Sequence, residues 1–173
     1  HWLIVSEMRE ELGFAPDRVA ARKDEIASVT QAFGFDSVKE LCLPTARLDT
    51  VPLATIIDAV ADALRDIEPD TVYLPFPGDA HSDHRIVFDA VTACGKWFRH
   101  PSIKRMVACE IPSETDFGLR PDQLSFKPNL FVDVTDRIEE KIGIMELYKG
   151  ETDDHPFPRS AETIRALATL RGS

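Results

Sequence analysis

Cysteine is scarce in this 173-residue chain, and the three present, Cys42, Cys94 and Cys109, are odd in number and far apart, with no C-x-x-C pair. That excludes a disulfide framework and a cysteine-built zinc site. Cys94 falls in a helical pattern beside Val91 and Phe98 and reads as a core thiol. A reducing cytoplasm suits such cysteines. No apolar run approaches the ~20 residues needed to cross a bilayer as a helix, so no transmembrane segment is expected. Nor is there a basic block; "RHPSIKR" at 99–105 comes nearest and reads as a solvated loop. With a formal net charge of −10, the chain lacks the clustered Lys and Arg that nucleic acid or an anionic membrane surface draws on. The acidity itself reads as solubility. Repeats and low-complexity tracts are absent.

What is present is a chain long enough for one domain with a closed hydrophobic core. "WLIVS" (2–6) is a short apolar run of β-formers and reads as a buried strand. Pro16 suits a first helical turn, Val19, Ile26, Val29 and Phe33 recur at helical spacing, and Gly34 stops that helix. "ELCLP" (40–44) is strand-like. Leu53, Ile56, Ile57, Val60, Leu64 and Ile67 form the clearest amphipathic helix, broken by "EPD" at 68–70. "TVYLP" (71–75) is a strand without strict alternation, as expected where helices cover both faces. A helix from Ser82 or Asp83 carries Val87, Val91, Cys94 and Phe98. "RMVACEI" (105–111) and "NLFVDV" (129–134) read as strands, with a long loop at 112–128 between them. Thr135 or Asp136 caps a helix running to Gly150, and Ser160 with Thr163 opens the last one, to about Leu170. Strands alternating with helices pair in parallel through right-handed crossovers. The expected fold is an α/β three-layer α/β/α sandwich with a mostly parallel sheet. Ligands of such sheets bind outside the carboxyl ends of the strands.

One of those ends carries "PFPGDAHSDHRIV" (75–87), which holds two of only five histidines. His84 lies in the first helical turn and His81 just before it. A helix N-terminus disfavours added positive charge and keeps an imidazole neutral, the form a metal ligand requires. Asp79 or Asp83 can accept a ring N–H and fix the tautomer. The plainer alternative is a pair of structural histidines. Spacing alone is no metal motif, since H-E-x-x-H sets its histidines four apart on a helix. A catalytic zinc takes three protein ligands, whereas this stretch offers at most two, and His1, His100 and His155 are isolated.

Taken with its surroundings, "HSDHR" (81–85) after "EPDTVYLP" resembles the H-P-D-H-R block of the LmbE/PIG-L family of zinc-dependent de-N-acetylases. "ARKDEIASVTQAFG" (21–34), "FKPNLFVDVTDRIEEKIGIMELYKGE" (126–151) and "AETIRALATLRG" (161–172) resemble further blocks in the family's order. The likeness covers nearly the whole chain. It implies a Rossmann-like, LmbE-like fold and hydrolysis of an N-acetyl group, usually on a glucosamine-type sugar conjugate. It further implies zinc held by two histidines and an aspartate. Carried over by position, His84 is a metal ligand, His81 stabilises the oxyanion and serves as an acid partner, and Asp83 tunes His81. Ser82 stands where the family has proline. Arg22 and Arg85 are candidate substrate contacts, although an Arg22 ion pair with Glu25 or Asp24 explains Arg22 equally well.

The family's A-H-P-D-D block, which supplies two zinc ligands and the general base, has no counterpart in this sequence. The chain opens at His1 inside an apolar run and reads as truncated at both ends. Zinc binding by residues 1–173 alone is therefore expected to be weak or absent. The expected partner is a small amino-sugar conjugate, with a homo-oligomer left open. Loops at 7–16 and 112–128 are expected to set the substrate, with Glu7, Glu114 and Asp116 meeting hydroxyl groups or facing water. Two other functions fit the same scaffold: a sugar- or nucleotide-binding module without catalysis, and a metal-dependent hydrolase of another amide or a phosphoester.

Overall fold

The computed structural model describes residues 1–118 and 125–173. Residues 119–124, part of the expected substrate loop, lie outside the described residues. In chain order the elements are β1 (Trp2–Glu7), α1 (Pro16–Phe33), β2 (Val38–Pro44), α2 (Leu53–Ile67), β3 (Thr71–Pro75), α3 (Ser82–Cys94), β4 (Arg105–Cys109), α4 (Ile138–Met145) and α5 (Ala161–Gly172). The chain divides into two compact units, one of His1–Leu12 with Asp36–Phe126, the other of Gly13–Phe35 with Lys127–Ser173.

The first unit contains two parallel ladders, β1 with β2 and β3 with β4. The first runs from Trp2 opposite Val38 to Glu7 opposite Pro44, with a register irregularity between Ile4 and Ser6. The second is regular from Thr71 opposite Arg105 to Pro75 opposite Cys109. The apolar stripe of α2 buries Ile56, Val60, Ala63 and Leu64. Of these, Ile56, Val60 and Leu64 meet Leu48, Leu74 of β3, and Ala90, Val91 and Cys94 of α3 in one core. Each buried Leu, Ile or Val among them contributes about 1.5–3 kcal/mol by leaving water, which packs α3 against β3 and α2. Leu74 is 5% exposed while its neighbour Tyr73 is 66% exposed. At this residue β3 is covered on one face, not on both as its unbroken apolar run suggested. Helix α3 stops at Cys94 before reaching the aromatic pair, and Trp97 and Phe98 are exposed.

In the second unit, Pro16 sits in the first turn of α1 and Gly34 closes it at φ 66°, donating to the carbonyls of Thr30 and Gln31. That left-handed geometry is one that glycine adopts without a Cβ penalty. Helix α4 is shorter than expected and begins after Arg137, without a side-chain cap. Thr135 instead turns back on Asp133, giving it both its amide and its hydroxyl. Ser160 caps α5 by accepting from the Thr163 amide at 3.2 Å. The expected strand at 129–134 has no ladder partner among the described residues, and Leu130, Phe131 and Val132 are exposed. β-forming composition describes a side chain's fit to a sheet; it does not provide the neighbouring strand.

Candidate active site at the β3–α3 turn

The chain leaves β3 at Pro75, crosses 76–81, and enters α3 at Ser82. His81 is the N-cap, with extended backbone, and its Nδ1 accepts a hydrogen bond from the Asp83 amide at 3.2 Å. An imidazole nitrogen that accepts from N–H carries no proton, so His81 presents Nε2–H. His84, one turn on, holds the opposite arrangement. Its Nδ1 lies 2.8 Å from Oδ2 of Asp79. An ionised carboxylate only accepts, so Nδ1 donates, and when the ring is neutral the Nε2 lone pair is left for another group. The two rings stack with centroids 5.1 Å apart and planes 21° apart. Two adjacent imidazoles are thus held in complementary forms, one offering a proton and the other a lone pair.

The aspartates divide differently from the expectation. Asp79, whose side chain is wholly shielded from solvent, orients His84. The Asp83 carboxylate does not touch His81. It is buried and accepts the amides of Ala46 and Leu48, at 2.7 and 3.2 Å, tying the segment after β2 to the start of α3. The main-chain amide of Asp83, a group any residue but proline supplies, is what sets the His81 ring. Arg85 follows in the same turn, is exposed, and makes no side-chain hydrogen bond or ion pair among the described residues.

Arg22 lies in the second unit. Its Nε pairs with Glu25 Oε2 at 3.2 Å, its Nη2 meets Glu151, and its guanidinium stands 5.2 Å from the centre of the Tyr148 ring. Arg18 and Arg159 bind the same Glu151 carboxylate at 3.2 and 2.9 Å. The ion pair with Glu25 is formed and one with Asp24 is not. Sequence reasoning missed the remainder of this cluster; its one signal was Tyr148, three residues before Glu151 in the stretch 126–151. Burial pushes the Tyr148 phenol up, opposed by Arg22.

A second group of possible metal donors, Glu7, Glu40 and Cys42, was not foreseen; their ligand atoms lie within 4.8 Å of one another. Its chemistry is poor for a cation. Arg9 already binds Glu7, and desolvation, followed by Glu7 itself, pushes the Cys42 thiol up, away from the thiolate a metal needs. At the β3–α3 turn the fit is better but partial: His84 offers a correctly prepared nitrogen, while no third donor completes a set there among the described residues.

Residues 6–94, half of the chain, match the PIG-L family, described as GlcNAc-PI de-N-acetylase. Among solved structures, the chain is similar to the conserved protein TT1542 from Thermus thermophilus, at 21% identity and a TM-score of 0.64, with 98% of this chain and 72% of that one covered. At that identity the likeness speaks for the α/β fold alone.

Proposed function

Because the chain belongs to the PIG-L family, we propose that it is a zinc-dependent amide hydrolase that removes the N-acetyl group from an N-acetylglucosamine-type conjugate. The observation that carries this reading is the pair of stacked imidazoles in complementary tautomers at the carboxyl end of a parallel strand. Zinc, when bound, supplies a Lewis acid and a water of lowered pKa. His84 would hold the metal through Nε2, with Asp79 keeping that nitrogen unprotonated. His81 holds a proton at Nε2 and directs it at the acetyl oxygen as negative charge gathers there. A donor of that kind contributes about 10²–10³ in rate. Arg85, solvent-exposed on the same turn, is free to meet a sugar hydroxyl or an anionic substituent of the conjugate. Arg22 is paired with Glu25 and Glu151, and its role in this reading is to hold α1 to Glu151.

The finer architecture belongs to the same proposal: one mostly parallel, Rossmann-like sheet in a three-layer sandwich, supported by two parallel ladders and helical connections. Three free cysteines support a cytoplasmic setting, and no described helix is long and apolar enough to cross a membrane.

Acetate release from an N-acetylglucosamine conjugate by the full natural protein tests the activity. His84→Ala should abolish it together with bound zinc; full zinc content and full turnover in that variant would sink the assignment. A second reading, a sugar-binding module without catalysis, is favoured by the single prepared donor at the turn. Saturable sugar binding without acetate release would select it.

A further inference from the structure

We propose that Thr115 is a positioning residue for His84, acting through Asp79, so that the loop at 111–118 determines which nitrogen of His84 faces outward. The proposal deepens the deacetylase reading. Its own observable, the protonation pattern of one ring, exists whether or not metal is bound.

The hydrogen bonds have a direction. The Ile111 amide donates to Thr115 Oγ1 at 2.9 Å. That hydroxyl then has its single proton for Asp79 Oδ1, 2.7 Å away. The other carboxylate oxygen, Oδ2, accepts from His84 Nδ1 at 2.8 Å. The sequence of donors thus runs from a main-chain amide through a hydroxyl into one side of a carboxylate, and from an imidazole into the other. With the Asp79 side chain fully shielded, no solvent competes for either oxygen. Fixing one oxygen restricts the rotation of the carboxylate and holds the second aimed at the ring.

Two independent ties bring the loops together. The Ala80 amide donates to the Glu114 carbonyl at 2.9 Å. A Cβ on Gly118 would fall 2.2 Å from the Gly78 carbonyl oxygen, so the backbones approach closer there than any other residue type allows. The 111–118 loop is therefore built against the histidine turn at three places, and Thr115 is the one that reaches a titratable side chain.

The alternative is that Thr115 merely anchors its loop. The two differ in the tautomer of a ring that Thr115 does not touch. The test is nitrogen–proton NMR correlation of the imidazoles in metal-free residues 1–173, at a pH where the nitrogen shifts show the rings to be neutral. A hydrogen bond to a charged group corresponds to about a 10- to 100-fold preference. We expect wild-type His84 to favour Nδ1–H by that ratio, and Thr115→Val to reduce it by about 2- to 10-fold, a part of that preference, because the bond to His84 itself remains when Asp79 Oδ1 loses its donor. Thr115→Ser should keep the wild-type ratio, and Asp79→Ala should abolish the preference. A wild-type His84 carrying its proton on Nε2 overturns the proposal without any variant, whether or not the variants fold. So does a folded Thr115→Val with an unchanged ratio. If the ratio responds as expected but His84→Ala retains zinc, the positioning stands and the metal assignment fails.

Discussion

Asp79 and His84 are joined by a 2.8 Å hydrogen bond across one loop and the first turn of α3, with the carboxylate buried and the ring partly open to solvent. The pairing converts a flexible residue type into a directional one. A free neutral imidazole exchanges its proton between two nitrogens, whereas a buried acceptor on one side assigns the proton to that side. In the neutral ring the lone pair is then the one on Nε2.

One lone pair is a small share of a metal site. A catalytic zinc takes three protein ligands, and the described residues around the turn contribute one prepared nitrogen. Zinc titrated into residues 1–173 should therefore show no tight one-to-one complex by calorimetry. Tight stoichiometric binding would mean that the donor set has been misread. In a preparation of the natural protein that does hold zinc, Asp79→Asn should weaken it by about 10- to 100-fold, the usual effect of losing an orienting partner.

Removing His81 should separate from removing His84. His81→Ala deletes the proton donor but no lone pair aimed outward, because its Nδ1 is already used by the Asp83 amide. In the active protein we expect zinc content unchanged and kcat lower by about 10²–10³. Equal loss of zinc in both variants would show that His81 is itself a ligand.

Asp83 is a stability residue by geometry. Its buried carboxylate is the acceptor for two amides, those of Ala46 and Leu48. Asp83→Ala would take the acceptor from the buried Leu48 amide, while the amide of exposed Ala46 can turn to water, at a cost of about 1–3 kcal/mol. Urea unfolding should report that loss, while the His81 tautomer stays as it was, since the amide at position 83 survives the substitution. A variant of full stability with an altered His81 ring would return Asp83 to the tuning role that the family resemblance implies.

Much of this arrangement is legible in the sequence, and the boundary is physical. Helices α1 and α2 are readable because their signals are local: Pro16 and Gly34 at the ends of one, a repeating apolar stripe in the other. The turn holding His81 and His84 can be located because a strand, a break and a helix follow one another along the chain. Its partners cannot. Asp83 could be assigned a neighbour only by proximity in sequence, and the chain instead brings Ala46 and Leu48 to it from 37 and 35 residues away. Thr115 reaches Asp79 across 36 residues. The segment 129–134 fails for the same reason. Its side chains suit a strand, but a strand is a relation between two segments, and no described residues supply the second. Long-range contacts of single polar atoms leave no periodic trace.

Tyr148 gives a pH signature that the composition alone does not. Its phenol is pushed up by burial and by Glu25 and Glu151, with Arg22 opposing. The folded state therefore keeps its proton at a pH where the unfolded chain, near the reference value of ~10, has released it. Above that reference the unfolded state binds fewer protons than the folded one, so unfolding becomes more favourable as pH rises. Stability from this group is fully present below about pH 10 and is lost on climbing toward the folded pKa. Tyr148→Phe removes the ionisation while keeping the ring beneath the Arg22 guanidinium. Urea midpoints measured at about pH 8 and pH 11 should fall more steeply for wild type than for Tyr148→Phe. Parallel falls would mean that the phenol is not held protonated, and that the Arg22 cation, 5.2 Å from the ring centre, outweighs burial.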